Sequence, residues 1–199
     1  MRLGIYGGTF SPPHNGHIMA AREFSSQMKL DRLLIIPANI PPHKEFDGKI
    51  SPKDRLNMCR AAFCGIGEVS DIEIRRLGKS YTYDTLRELE SLGHSDVYLL
   101  CGTDMLLSFD KWHRYGDILK MCSVVLAKRA VPSVDEQQKI DETIRRLEAE
   151  NGARIYELDL EPIEISSTQI REMIKNGEDV SDYMPAAEYE YIKEKGLYL

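Results

Sequence analysis

Two histidines three residues apart, His14 and His17, follow a run of small and turn-forming residues, Gly7-Gly8-Thr9-Phe10-Ser11-Pro12-Pro13. Paired imidazoles can donate hydrogen bonds to phosphate oxygens, and an adjacent polyphosphate favours their cationic form. The flanking residues supply the scaffold for such a site. Leu3, Ile5 and Tyr6 read as a short buried strand that Gly7 and Gly8 end. Pro12 and Pro13 cannot continue a sheet and hold the loop extended. Asn15 is the expected N-cap of a helix that Ile18, Met19 and Ala20 begin. A glycine turn between strand and helix lets a phosphate approach the backbone, and the helix N-terminus offers it free N–H groups with a partial positive charge. The pattern is not G-x-G-x-x-G, because the glycines fall at Gly4, Gly7 and Gly8, and it is not a P-loop, because no Gly-Lys-Ser/Thr follows. A lone histidine at a helix start is ordinarily a cap or a surface residue; a pair flanking Gly16 after such a turn points to an anionic ligand.

Glu164-Ile165-Ser166-Ser167-Thr168-Gln169-Ile170-Arg171 is the second informative stretch. With Ser166 as N-cap, Gln169 falls at the third helical position and completes a capping box, while Ile165 and Ile170 fall where a hydrophobic staple needs them. Helix capping thus accounts for four residues. It leaves unexplained the presence of Ser167, Thr168 and Arg171 on the same first turn. Hydroxyls, free N–H groups and a guanidinium together make a triphosphate cradle.

Gly7-Gly8-Thr9-Phe10 followed by His14-Asn15-Gly16-His17 resembles the H-x-G-H nucleotidyltransferases, Rossmann-like enzymes that move a nucleotidyl group from a nucleoside triphosphate. Ile165 to Arg171 resembles their I-S-S-T-x-I-R motif, so the likeness spans nearly the whole chain. Within that superfamily, Pro37-Ala38-Asn39-Ile40-Pro41-Pro42-His43-Lys44, Ser80-Tyr81-Thr82-Tyr83-Asp84-Thr85 and Gly102-Thr103-Asp104 with the single Trp112 are similar to segments of bacterial nicotinate-nucleotide adenylyltransferases. Ser11 departs from their pattern, standing where many members carry Asp.

The resemblance implies adenylyl transfer from ATP to nicotinate mononucleotide, giving deamido-NAD and pyrophosphate, with direct in-line attack and no covalent intermediate. It implies a catalytic set of His14, His17 and Arg171. Gly7, Gly8, Thr9, Phe10, Gly16, Gly102, Asp104, Ser166, Ser167 and Thr168 would bind ATP. Lys44, Tyr81, Thr82, Trp112 and Arg129 would bind the acceptor, with Trp112 stacking on the pyridine ring and the N–H groups of Tyr81 and Thr82 facing its carboxylate. Mg²⁺ would be held mainly by ATP phosphates rather than by a protein cage. Read as residues alone, Trp112 is more often a core residue than a platform, Asp104 could cap a helix beginning at Met105, Tyr81 and Thr82 could merely open the helix after them, and Lys44 and Arg129 would by default be solvated. The nearest rivals are a phosphopantetheine adenylyltransferase, a cytidylyltransferase and a non-catalytic nucleotide sensor.

Composition sets the frame. A chain of 199 residues with 42% hydrophobic and 29% charged residues suffices for one domain with a substantial core. A net charge of −6 argues against non-specific nucleic-acid binding while leaving room for a local basic pocket. The four cysteines, Cys59, Cys64, Cys101 and Cys122, show no metal-like spacing and are expected as buried free thiols. No apolar run approaches membrane-span length and no signal peptide is apparent, so a cytoplasmic protein is expected; a homo-oligomer stays open.

Along the chain, helices are expected over residues 16–28, 51–64, 82–92, 134–150, 167–175 and 186–195, with a broken helix over 105–120. Strands are expected at 33–36, 69–75, 97–101, 123–127 and 154–160. Strands alternating with helices imply crossover units and an α/β, Rossmann-like, doubly wound and mainly parallel sheet with helices on both faces. The loops after Tyr6, Ile36, Leu100 and Leu126 all follow strand ends, where such sheets bind ligands. The whole chain, 1–199, reads as a single nucleotidyltransferase domain whose closing helices, about 166–199, complete the triphosphate site.

Overall fold

A computed structural model describes residues 1–42, 50–128, 131–161 and 165–199. In chain order the elements are β1 (Leu3–Gly8), α1 (Asn15–Gln27), β2 (Arg32–Pro37), α2 (Pro52–Ala62), β3 (Glu68–Val69), α3 (Ile72–Arg76), α4 (Thr82–Ser91), β4 (Val97–Gly102) and α5 (Thr103–Leu107). A 3-10 turn (Phe109–Lys111) leads into α6 (Tyr115–Met121), β5 (Ser123–Ala127), α7 (Val134–Asn151), β6 (Ile155–Glu157) and α8 (Ser167–Lys175). A second 3-10 turn (Ser181–Tyr183) precedes α9 (Ala186–Lys195). The sheet order is β3-β2-β1-β4-β5-β6, and every strand pairing is parallel.

The alternation of side chains along each strand builds two cores. Leu3 and Ile5 of β1, Leu34 and Ile36 of β2, and Val124 and Leu126 of β5 face one side. Leu33 and Ile35, with Leu100 and Val125, face the other and meet Phe24 and Phe63 from the helices. A strand covered on both faces must be apolar at every position, which is why Leu33-Leu34-Ile35-Ile36 is an unbroken run. Gly4 serves the same packing: a Cβ there would stand 2.3 Å from Leu30 Cδ1 and 3.0 Å from the Phe24 ring. A third apolar cluster, including Met58, Ile170, Ile174 and Ile192, joins α2, α8 and α9.

Local capping follows the sequence closely. Ser51 accepts from the Asp54 N–H with Pro52 at the first helical position, and Ser166 and Gln169 form the expected reciprocal box. Five expectations change. Residues 69–75 are not a strand: β3 stops at Val69, and Ile72–Arg76 is a helical turn in which Arg75 bonds Asp71 at 2.8 Å. The alternation of Ile72 and Ile74 spans too few residues to separate the two periods. The N-cap position of α1 is held by His14, and Asn15 instead donates to the Asp182 carbonyl at 2.9 Å. The helix after β4 starts at Thr103, so Asp104 lies inside its first turn rather than capping it. The last strand is only Ile155–Glu157. Of the cysteines, Cys64 is exposed and the other three are buried; burial pushes the Cys101 and Cys122 thiols up to about 12. No helix among the described residues is long and apolar enough to cross a membrane.

Candidate active site

The strand order reverses between β1 and β4, and a crevice opens beyond the carboxyl ends of a parallel sheet at such a point. Here it is a cavity of about 850 Å³, lined by the turn after β1, the end of β4, Ala127 of β5, the start of α8 and residues 196–199 after α9. The carboxyl ends of β1, β4 and β5 therefore converge on it. The described part of the loop after β2, residues 38–42, does not line it.

At the start of α1 the rings of His14 and His17 lie 3.8 Å apart with their planes at 40°. Both are buried, yet both line the cavity. The helix brings them together because residues three apart share a face. The turn before them is strained. Phe10 adopts a left-handed φ of +49°, which costs an L-residue about 1–2 kcal/mol. Its ring is 3% exposed and packs edge-on against Tyr6 (5.3 Å), His17 (5.2 Å) and Phe63 (5.6 Å). Edge-to-face pairs contribute about 0.5–1.5 kcal/mol each beyond area burial, so three of them outweigh the strain. Phe10 thereby pins the turn and one wall of His17. Gly7 and Gly102 line the cavity with nothing within 4 Å of where a Cβ would be, so their missing side chains leave open space for a ligand.

The two sequence motifs meet directly. The Ser167 hydroxyl donates to the Pro12 carbonyl at 2.8 Å. Arg171 Nη1 donates to the Ser11 carbonyl at 2.7 Å, and Nη2 to Thr168 Oγ1 at 3.1 Å. The first turn of α8 is thus bound to the loop that precedes the histidines, and Ser166, Ser167, Thr168 and Arg171 all line the cavity with Gly7, Gly8, Thr9, Phe10 and Gly16. On the opposite flank the buried Arg55 donates to the Thr9 carbonyl (3.0 Å) and the Asn39 carbonyl (2.9 Å), joining the turn after β1 to the loop after β2.

Among the described residues, those expected around the acceptor, Tyr81, Thr82 and Trp112, do not line this cavity. Asn39 N–H donates to Ser80 Oγ at 2.8 Å, and Ser80 N–H to the Ile40 carbonyl at 2.9 Å, which sets Tyr81 and Thr82 beside the loop after β2. Below them the buried Glu73 accepts from the Thr85 hydroxyl at 2.7 Å, and burial holds its carboxyl above the ordinary value. Tyr81 meets the His113 ring at 4.8 Å. Trp112 is 9% exposed and stacks on Phe109 at 4.7 Å with planes at 13°. Asp104 is exposed at the start of α5. Lys44 and Arg129 lie outside the described residues.

The sequence has recognisable relatives. The sequence model of the cytidylyltransferase-like family matches residues 5–173. A Clostridium tetani protein described as a probable nicotinate-nucleotide adenylyltransferase is 34% identical over 99% of this chain and 98% of its own length. One from Dehalococcoides mccartyi with the same description is 37% identical over 100% and 97%. The chain belongs to the nicotinate-nucleotide adenylyltransferases of the cytidylyltransferase-like family. Its fold is that of the Plasmodium falciparum nicotinic acid mononucleotide adenylyltransferase solved in complex with NaAD, with a TM-score of 0.74 at 18% identity over 99% of this chain and 97% of that one.

Two residues in these groups were not singled out from the sequence. His113 is adjacent to Trp112, but only the fold brings it to Tyr81. Tyr198 lines the cavity and shares a 3.1 Å hydrogen bond with Ser11. The departure at Ser11 was its only sequence signal.

Proposed function

We propose that this protein transfers the adenylyl group of ATP to nicotinate mononucleotide, forming deamido-NAD and pyrophosphate. The observation that carries this reading is the His14–His17 pair facing the same cavity as the first turn of α8. A chain of phosphates laid between them would meet imidazole donors at one end and hydroxyls, backbone N–H groups and a guanidinium at the other.

In this mechanism a phosphate oxygen of the acceptor attacks the α-phosphorus of ATP. The new P–O bond forms as the bond from that phosphorus to the oxygen bridging to the β-phosphorus breaks, and pyrophosphate leaves with that oxygen. The acceptor oxygen is already anionic near neutral pH, so no general base is needed. His14 and His17 donate to the α-phosphate oxygens as charge builds there. Ser166, Ser167, Thr168 and Arg171 hold the β- and γ-phosphates. Gly7, Gly8, Thr9, Phe10 and Gly16 shape the near wall, and Gly102 and Asp104 approach a ribose. The remaining acceleration comes from holding the two phosphates in line. Mg²⁺ is assigned to the triphosphate and water rather than to a protein cage. Mg²⁺ supplies charge neutralisation of the phosphates when bound.

The acceptor's pyridine ring is assigned to the Tyr81–Thr82 segment. Their backbone N–H groups would recognise the carboxylate, His113 would join Tyr81 beside the ring, and Trp112, with Phe109 stacked on one face, would stack on the ring. Lys44 and Arg129 are assigned to the mononucleotide on family likeness alone. We assign the whole chain to one functional unit working in the cytoplasm. The test is pyrophosphate release with ATP and Mg²⁺, comparing nicotinate mononucleotide, nicotinamide mononucleotide and phosphopantetheine. Release favouring the nicotinate acceptor is expected. Release only with phosphopantetheine would retain the phosphate chemistry and overturn the acceptor assignment.

A further inference from the structure

The segment after α9 returns to the catalytic cavity and is fastened there. Tyr198 holds a left-handed φ of +71°, a conformation that an aromatic residue adopts only when its surroundings impose it. Its ring packs into the third apolar cluster beside Ile50 and Met58. Its hydroxyl lies 3.1 Å from Ser11 Oγ and 3.7 Å from Met58 Sδ. A phenol has one proton, so when Tyr198 donates to Met58 the Ser11 hydroxyl donates to Tyr198, and both contacts are made at once. Ser11 is also the residue whose carbonyl receives Arg171 Nη1, and the next carbonyl, Pro12, receives the Ser167 hydroxyl. The Ser11–Pro12 segment that α8 grips through two carbonyls is therefore also held by the Tyr198 hydroxyl, one residue beyond the Phe10 packing and two beyond the Arg55 contact to Thr9.

We propose that Tyr198 is a positioning residue of the triphosphate cradle: its hydroxyl fixes the Ser11–Pro12 loop so that the two carbonyls hold Arg171 and Ser167 toward the phosphates. This rests on the reading of α8 as that cradle. Burial raises the Tyr198 phenol well above its ordinary range, so the hydroxyl stays protonated throughout the working pH range. Acting through Arg171 and Ser167, Tyr198 should govern ATP and leave the acceptor alone, because the Tyr81–Thr82 group shares none of these hydrogen bonds.

The test uses the full chain and the variants Tyr198→Phe, Ser11→Ala and the double substitution. ATP Kd is read by calorimetry, KM for each substrate by pyrophosphate release, and Tm by thermal melting. Tyr198→Phe keeps the ring and its packing. It should raise ATP Kd and KM by about 3- to 10-fold, the worth of one hydrogen bond, with the acceptor KM within about twofold. Ser11→Ala should match it, and the double variant should be no worse than the worse single one, because all three remove the same bond. A merely structural role would lower Tm and leave ATP Kd unchanged, and that result overturns the proposal. Equal losses for both substrates, or additive single effects, overturn it too. If the wild type binds ATP but does not use nicotinate mononucleotide, the functional reading falls while ATP Kd still decides on Tyr198. A wild type that does not bind ATP overturns both.

Discussion

The region assigned to the phosphates and the region assigned to the acceptor, called here the phosphate side and the acceptor side, are built on different principles. The phosphate side is made of backbone: a strained glycine turn, two helix starts and carbonyls that hold side chains in place, with Ser167 and Arg171 each bonded to a carbonyl more than 150 residues away. The acceptor side is made of rings, with Tyr81 on His113 at 4.8 Å and Trp112 on Phe109 at 4.7 Å. Backbone donors suit a group whose charge and geometry are fixed, and rings suit a flat heterocycle whose identity must be chosen. Damage on the first side should therefore appear in turnover and ATP binding. Damage on the second should appear in acceptor KM.

The sharpest break is His17→Ala, which removes a donor at the reacting phosphorus and should cut kcat by about 10²–10³-fold. Near-normal turnover in a pyrophosphate assay would sink the mechanism. On the acceptor side, His113→Ala should raise the nicotinate mononucleotide KM by about 3- to 10-fold, the worth of one aromatic contact, and keep kcat. Initial-rate kinetics with saturating ATP would show this. Loss of kcat with unchanged KM would erase the contrast between the two sides. Trp112→Ala is a poorer probe, since truncating a buried tryptophan costs about 3–5 kcal/mol of stability on its own.

Two glycines of one strand sharpen the contrast further. A Cβ on Gly7 meets nothing within 4 Å but enters the cavity. Gly7→Ala should keep Tm and weaken ATP by several-fold. A Cβ on Gly4 meets Leu30 and Phe24. Gly4→Ala should instead cost about 1–3 kcal/mol of stability, as overpacking does, with ATP Kd intact. Melting and calorimetry on both variants decide the matter, and a shared phenotype would contradict it.

The smallest expected effect concerns Glu188 of α9. It is fully buried, and neither carboxylate oxygen has a hydrogen-bond partner among the described residues. Burial raises its pKa well above 4.5. The unfolded chain then releases this proton near pH 4.5 while the folded chain still holds it, so the residue costs stability as pH rises above that value. Glu188→Gln should raise Tm at pH 7 by a few degrees, at about 2–4 °C per kcal/mol, and change little near pH 4. An equal shift at both pH values would assign the effect to packing.

What could be read from the sequence was what local chemistry dictates. Ser166 with Gln169, Ser51 with Pro52 and the apolar run of β2 each fix their element within a few residues, and the cap of α8 could be placed from eight letters. Most of the failures are tertiary. Nothing near Tyr198 says that it meets Ser11, since their partnership spans 187 positions. Ile72–Arg76 became helical because Glu73 is drawn into the core by Thr85 and because Arg75 pairs with Asp71, not because of its alternation. Asn15 lost the cap to His14 because its amide is used by Asp182.

The contacts of Pro12 with Ser167 and of Ser11 with Arg171 join positions 155 and 160 apart, so the cradle has no local precursor. During folding, a loop of that length must close before either bond can form, whereas most of the sheet pairs across shorter crossovers. The cradle contacts therefore carry a larger loop-closure cost than the strand pairings of the sheet. ATP can bind only the finished arrangement, and by mass action it should hold the first strand and α8 together. The nucleotide is then a fastener of the fold as well as a reactant, and protection of α8 amides from hydrogen exchange should rise with ATP concentration before that of any central strand.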